Sequence, residues 1–183
     1  MHLNRYIYHT LLKATATTSD IVKLCQEAIT NDFFSVCVNS CYVSLAAEQL
    51  KHSNVKVCSV IGFPLGAMST QAKAAEATEA LKSGANEIDM VMNLGFLKCK
   101  EFDNVWKDIQ AVKSVMQNNT LKVILETCYL SNEEILKASE LAIKGGADFI
   151  KTSTGFGTRG ASLEDVKLMK RIAKDSTKIK ASG

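Results

Sequence analysis

Short apolar runs alternate with helical segments along the whole chain, and this alternation restricts the fold more than any other feature of the sequence. Six runs have the length and composition of buried strands, and their centres are Cys37, Cys58, Asp89, Ile124, Lys151 and Lys180. Successive centres lie 21, 31, 35, 27 and 29 residues apart, which is about the length of one βα unit. Nearly continuous apolar runs are typical of parallel strands that are covered on both faces. The sequence therefore predicts an α/β protein with a parallel sheet and right-handed crossovers.

Helical periodicity and capping residues fill the intervals between these strands. Thr18-Ser19-Asp20 is a capping cluster in front of apolar residues at helical spacing. Residues 1–17 show little periodicity, and we interpret them as an irregular leading segment. Further helices are expected at 42–50, 70–83, 101–117, 131–145 and 162–174.

The glycine fingerprints of nucleotide-binding sheets are missing from the first strand-to-helix turn. Neither G-x-G-x-x-G nor G-x-x-x-x-G-K-[ST] occurs there, which disfavours a nucleotide-binding doubly wound sheet. The better fit is a (β/α)8 TIM barrel. With six predicted strands, residues 1–183 would form a single, incomplete barrel domain with about six of the eight β/α modules.

Composition limits the class of protein and its partners. The chain has 183 residues, of which 46% are hydrophobic and 22% charged, as in an ordinary globular domain. Its net charge of +3 comes from mixed signs rather than from a basic block, so neither nucleic acid nor a membrane is expected as a partner. No apolar leader or 18-residue apolar run occurs, and we expect a cytoplasmic protein.

Six cysteines and three histidines could in principle bind a metal, but their spacing does not indicate a site. No two cysteines form a C-x-x-C pair, and the histidines fall outside metal-ligand spacings, so no metal is expected. Free thiols among apolar neighbours behave as small hydrophobic groups. Cys37 is a candidate for lining a cavity, although packing is the favoured interpretation of its position.

Lys151 is the most unusual residue of the predicted strands. It follows Asp148-Phe149-Ile150 and precedes Thr152-Ser153-Thr154-Gly155. Burial lowers the pKa of a lysine, and a neutral lysine can attack a carbonyl to form a Schiff base. The Thr-Ser-Thr-Gly segment would then offer hydroxyl groups and backbone N–H groups to a ligand. The alternative is a lysine at a strand end whose ammonium group reaches solvent.

Two further ionisable strand residues, Asp89 and Lys180, are expected near Lys151. If the strand faces that carry them point into the barrel, two lysines and an aspartate converge at the carboxyl ends of the strands. A second ammonium group would favour the neutral form of Lys151, and Asp89 could transfer protons. The alternatives are a structural ion pair for Asp89 and a solvated chain end for Lys180. Lys178 lies two residues before Lys180 and so would point to the same face of the strand, which makes the two lysines easy to confuse. Glu126 could bind substrate hydroxyls or a lysine.

These residues lie in segments that resemble the deoxyribose-phosphate aldolases, which are class I aldolases with a barrel fold. The most specific segments are Glu87-Ile88-Asp89-Met90-Val91 and the segment around Lys151. The matching segments follow the family order through the chain: residues 9–13, 36–38, 60–66, 84–91, 122–127, 146–156 and 180–183.

The resemblance implies an activity and a role for each site residue. The implied reaction is cleavage of 2-deoxy-D-ribose 5-phosphate to acetaldehyde and glyceraldehyde 3-phosphate, without a metal or an organic cofactor. By the same match, Lys151 forms the imine, Lys180 lowers its pKa and Asp89 transfers protons. Backbone N–H groups of Gly155 and Gly183 would hold the phosphate. The predicted substrate-binding residues also include Thr154 and Cys37.

Two departures from the family accompany this resemblance. Tyr8 stands where family members usually carry Asp. The family also continues through two more β/α modules, or about 40 residues. Exposed sheet edges would favour a homo-oligomer. Two other functions stay open from the residues alone: another Schiff-base aldolase of the transaldolase kind, and an inactive sugar-phosphate-binding remnant.

Overall fold

The computed structural model describes residues 2–183, and its strands form one parallel sheet in sequence order. Every pair of neighbouring strands is parallel, which confirms the predicted α/β class. The strands are β1 (Tyr8–Leu11), β2 (Ser35–Val38), β3 (Lys56–Ile61), β4 (Glu87–Val91), β5 (Thr120–Ile124), β6 (Phe149–Lys151) and β7 (Lys178–Lys180).

The connections between the strands contain the predicted helices and one short helix that the sequence did not predict, α4. The helices are α1 (Thr18–Thr30), α2 (Val43–Leu50), α3 (Thr70–Lys82), α4 (Leu94–Lys98), α5 (Phe102–Val115), α6 (Asn132–Lys144) and α7 (Leu163–Ala173). Capping boxes begin α1 and α6: Thr17 pairs with Asp20, and Ser131 pairs with Glu134. Within residues 2–183, no helix has both the length and the apolar character needed to cross a membrane.

The sheet has seven strands in the described chain, one more than the sequence predicted. The additional strand, β1, lies in the segment that we interpreted as irregular, and it pairs with β2 from Tyr8↔Ser35 to Leu11↔Val38. It was missed because His9 and Thr10 interrupt any apolar run, and β1 contains no fully buried residue. The sheet therefore forms an open, partial TIM barrel with seven of the eight strands of a closed barrel.

The two faces of the sheet differ in chemistry, and this difference locates the site. Ile88 and Met90 of β4 belong to the main apolar core, which also includes the buried faces of the surrounding helices. Cys37 and Cys58 belong to a separate small cluster with Leu12 and Val60, on the concave face. Charged side chains share this concave face, as the alternation on β4 predicts.

Candidate active site

Asp89 lies at the centre of a buried cluster of ammonium groups. Its Oδ2 lies 2.7 Å from Lys151 Nζ and 3.3 Å from Lys180 Nζ. Its Oδ1 lies 2.9 Å from Lys122 Nζ. The structure thus brings together the three residues predicted to be catalytic, and they meet because β4, β5, β6 and β7 are successive neighbours in the sheet.

The ammonium groups determine the ionisation state of Asp89. Its side chain is fully buried, and burial alone would raise the pKa of the carboxyl. The positive charges of Lys122, Lys151 and Lys180 outweigh this effect and hold the pKa well below its ordinary value. Asp89 is therefore a carboxylate in this structure.

The pKa of Lys151 is shifted in the direction opposite to our prediction. Burial does favour the neutral amine, but the Asp89 carboxylate at 2.7 Å, together with Cys37 and Cys58, outweighs it and raises the pKa of Lys151 above its ordinary value. The sequence indicated a second ammonium group near Lys151, but it did not show that a carboxylate would lie closer. In this structure Lys151 and Asp89 form an ion pair.

Two alternatives left open by the sequence are wrong. Lys151 is only 4% exposed, so its ammonium group does not extend into solvent. The side chain of Lys180 is 13% exposed and paired with Asp89, so it is not a solvated chain end. Lys178, which has the same parity, lies instead over the ring of Phe149, with Nζ 5.4 Å from the ring centroid.

Lys122 is a site residue that the sequence analysis did not single out. It is fully buried on β5, opposite Asp89 in the register, and its Nζ also lies 2.7 Å from Glu87 Oε2. Burial opposes its charge, but the carboxylates of Asp89 and Glu87 help to raise its pKa well above the ordinary value. The signal that identified Lys151, a lysine within an apolar strand, is equally present at Lys122 and could have found it.

Cys37 is buried beside this cluster, next to a second thiol. Cys37 and Cys58 are register partners on β2 and β3, and Cys58 Sγ lies 3.2 Å from Asp89 Oδ1. Donor atoms of these two thiols and Asp89 lie within 4.8 Å of one another, as in a soft-metal site. Three ammonium groups already contact the same carboxylate, however, so the charges around it oppose a metal cation.

A cavity of about 610 Å³ opens beside Lys151 and Lys180. The predicted phosphate-binding residues Gly155 and Gly183 both line it, and a side chain on Gly155 would approach the Gly183 backbone. Both glycines have a positive φ, +88° and +106°, which favours glycine at these turns. The backbone after β6 and after β7 therefore faces the same space as the two lysines.

Thr154 also lines this cavity, but its hydroxyl group already has protein partners. It donates to Glu126 Oε2 and accepts a hydrogen bond from the Phe156 backbone N–H at 3.0 Å. The prediction that the Thr154 hydroxyl binds a ligand therefore receives no support from this geometry. Glu126 pairs with Thr154 rather than with a lysine, and it fixes the turn that leads to Gly155.

Comparisons with known proteins agree with this geometry. The sequence profile of the DeoC/LacD family of aldolases matches residues 6–183. A deoxyribose-phosphate aldolase of Finegoldia magna is 60% identical over 183 residues, which cover 100% of this chain and 86% of that protein. A deoxyribose-phosphate aldolase of Mycoplasma capricolum is 51% identical over 181 residues, which cover 99% of this chain and 82% of that protein.

A solved structure shows the same architecture. The tetrameric deoxyribose-phosphate aldolase of Aeropyrum pernix superposes with a TM-score of 0.92 at 31% identity, and the match covers 99% of this chain and 77% of that one. The family profile spans nearly the whole chain, and the sequence identities are high over most of each relative. This chain belongs to the DeoC/LacD family of aldolases.

Proposed function

We propose that this chain is a Schiff-base aldolase that cleaves 2-deoxy-D-ribose 5-phosphate to acetaldehyde and glyceraldehyde 3-phosphate. The observation that carries the proposal is the buried Lys151–Asp89–Lys180 cluster beside a cavity lined by Gly155 and Gly183. The names of relatives at 51–60% identity support the choice of substrate.

The first chemical step needs a neutral Lys151. Its ammonium group donates to Asp89 Oδ2 at 2.7 Å, so the carboxylate is placed to accept that proton. The free amine then attacks the C1 aldehyde of the open-chain sugar, and loss of water from the carbinolamine forms the imine. Asp89 would return protons to these intermediates.

Lys180 assists by sharing Asp89 with Lys151. Both ammonium groups contact the same oxygen, Oδ2, so Lys180 weakens the attraction between Asp89 and the Lys151 proton. Lys180 also places a positive charge near the imine. Asp89, again a carboxylate once water has left, takes the proton of the C3 hydroxyl; the C2–C3 bond breaks, glyceraldehyde 3-phosphate is released, and the electron pair moves into the protonated imine to give an enamine. Asp89 then protonates C2 of the enamine, and water hydrolyses the resulting imine to release acetaldehyde and the free amine of Lys151.

The phosphate group would lie near Gly155 and Gly183. Backbone N–H groups at strand-to-helix turns are suited to binding an anion. Glu126 contributes indirectly, since it holds Thr154 and thereby the turn before Gly155. Lys13 lines the same cavity and adds a positive charge.

We further propose a cytoplasmic location and a homo-oligomeric state. All six cysteines are free thiols, as is common in a reducing compartment. The Aeropyrum pernix relative is described as a tetramer. We also propose that residues 1–183 form a single domain.

Reductive trapping tests the proposed function. The protein is incubated with acetaldehyde and sodium borohydride, and the adduct is located by intact-mass measurement and peptide mapping. We expect an ethyl group on Lys151, and we expect no adduct in the Lys151→Ala variant. Lys178→Ala is the matched control, since Lys178 lies on β7 without contacting Asp89, and it should be labelled like the unmodified protein.

A portion of the same preparation that has not been treated with acetaldehyde or borohydride should convert the proposed substrate to glyceraldehyde 3-phosphate, measured with a coupled dehydrogenase. Absence of an adduct on protein that melts cooperatively would contradict the Schiff-base assignment. Trapping without turnover of the deoxyribose phosphate would contradict the choice of substrate.

A further inference from the structure

We propose that Tyr8 is a positioning residue that holds the Lys180 ammonium group against its ring face and so keeps Lys180 beside Asp89 and Lys151. This inference rests on the proposed function, because its effect is exerted through the reactivity of Lys151. Tyr8 lies on β1, the first edge strand of the sheet.

The ring of Tyr8 contacts two of the three ammonium groups. Lys180 Nζ lies 3.5 Å from the ring centroid, and Lys122 Nζ lies 4.7 Å from it. Both distances are within the range of a cation–π interaction. Lys180 Nζ is thus held between the Tyr8 ring and Asp89 Oδ2, which lies 3.3 Å away.

Tyr8 attracts these ammonium groups without adding a negative charge. Burial raises the pKa of its phenol, although Lys122 opposes the shift, and the nearby Glu87 carboxylate raises the pKa further. The cluster therefore contains three ammonium groups and two carboxylates, those of Asp89 and Glu87. Because Tyr8 adds no carboxylate to the cluster, it holds Lys180 without further stabilising the ammonium form of Lys151.

The position of Tyr8 explains why Lys180 needs such a contact. A cavity of about 940 Å³ separates β1 from β7, and both Tyr8 and Lys180 line it. Phe34 packs against Tyr8 with ring centroids 5.4 Å apart and supports its orientation. Without the ring, the Lys180 side chain could turn into this open space and away from Asp89.

The test is the pH dependence of reductive trapping at Lys151, measured as an initial rate with limiting acetaldehyde. The measured quantity is the midpoint of the rise in trapping rate with pH. Tyr8→Phe keeps the ring face and should have the same midpoint as the unmodified protein. Tyr8→Leu and Tyr8→Met remove it, and each should move the midpoint upward by about one pH unit. This corresponds to roughly tenfold slower trapping on the acidic side of the profile.

Two controls separate this role from a structural one. Trp106→Leu removes a cation–π contact with Lys144 (4.2 Å) outside the cluster, and it should leave the midpoint unchanged. In a Lys180→Met background, Tyr8→Leu should produce little further shift, because the group that the ring positions is absent. Circular-dichroism melting establishes that each variant is folded.

The possible results give distinct conclusions. Folded apolar variants with the unmodified midpoint would overturn the positioning role and leave the proposed function intact. A midpoint for Tyr8→Phe equal to that of Tyr8→Leu would assign the effect to the hydroxyl group and overturn the role of the ring. Absence of trapping in the unmodified protein would overturn the proposed function and the role of Tyr8 with it.

Discussion

At the scale of single residues, the buried charges of Glu87, Asp89, Lys122 and Lys151 each have an opposite charge beside them. A buried ion without a partner is strongly unfavourable, and removal of one member of a buried pair exposes that cost. Glu87 is 3% exposed, and Lys122 lies 2.7 Å from its Oε2. Lys122 therefore compensates Glu87 and also contributes to holding Asp89 ionised.

Replacing Lys122 should destabilise the fold. Lys122→Met leaves the Glu87 carboxylate buried without its ammonium partner, and we expect the free energy of unfolding to fall by about 3–5 kcal/mol. Urea unfolding measures the change. Lys98→Met is the matched control, because it breaks the partly exposed Lys98–Glu134 pair and should have a much smaller effect. The double variant Lys122→Met/Glu87→Gln should recover part of the loss, and failure to do so would contradict this pairing.

The ionisation of Asp89 makes the free energy of unfolding decrease at acidic pH. Its folded-state pKa is lowered from about 3.8, so its charged form contributes stability above that pH, and this contribution is lost as the pH falls further. Asp89→Asn should be less stable at pH 7, by about 3–5 kcal/mol, and should lose less stability between pH 7 and pH 3. Urea unfolding at both pH values checks this, and an equal deficit at both would contradict it.

At the scale of elements, a second buried ion pair fixes the helices that surround β4. Lys73 of α3 and Asp108 of α5 lie 2.6 Å apart, and both side chains are almost completely buried. Lys73 Nζ also donates to the Val91 carbonyl at 3.1 Å, at the end of the strand that carries Asp89. Burial outweighs the attraction of Asp108 and lowers the pKa of Lys73. The pair thus joins two helices to the strand that carries Asp89.

Disrupting this pair should affect both stability and activity. Lys73→Met leaves Asp108 buried and unpaired, and we expect a loss of about 3–5 kcal/mol together with a lower turnover rate, because β4 loses a contact near Asp89. Lys73→Met/Asp108→Leu should recover most of the stability. Lys113→Met, which removes the more exposed pair with Asp148, is the control. Thermal melting and the coupled assay measure both effects, and a stable, fully active Lys73→Met would contradict this role.

At the scale of the whole molecule, the described sheet has two edges that each pair on one side only. These edges are β1 and β7, and the cavity of about 940 Å³ lies between them. Leu3 and Tyr6, just before β1, are 68% and 69% exposed. Unpaired edges with apolar neighbours favour association with another chain.

We therefore expect a chain of these 183 residues to associate with itself through this region. Light scattering after size exclusion should show a mass that rises with protein concentration. Tyr6→Lys, in the segment before β1, should reduce the association, whereas Leu163→Lys places a charge on an exposed leucine of α7 and should not. A monomer at every concentration, with cooperative melting, would contradict this expectation.

The sequence predicted the α/β class, the parallel sheet and a cluster of Asp89, Lys151 and Lys180, and the structure brings these three residues together. These predictions were possible because successive side chains of a strand point to opposite faces of the sheet. Asp89 and Lys151 within apolar runs therefore indicate that one face of the sheet is polar. The capping residues near Asp20 and at Ser131 and Glu134 likewise follow from local chemistry. All of these predictions rest on residues that are close together in the sequence.

Only the tertiary structure decided how the charges combine. The pKa of Lys151 depends on whether a carboxylate or an ammonium group lies nearer, and the structure places Asp89 at 2.7 Å. β1 has no apolar run of its own and becomes a strand because β2 offers it a partner. Tyr8 likewise meets Lys180 only because the sheet curves and brings its first and last strands together. Distances between residues far apart in sequence set these outcomes, and a local pattern does not contain those distances.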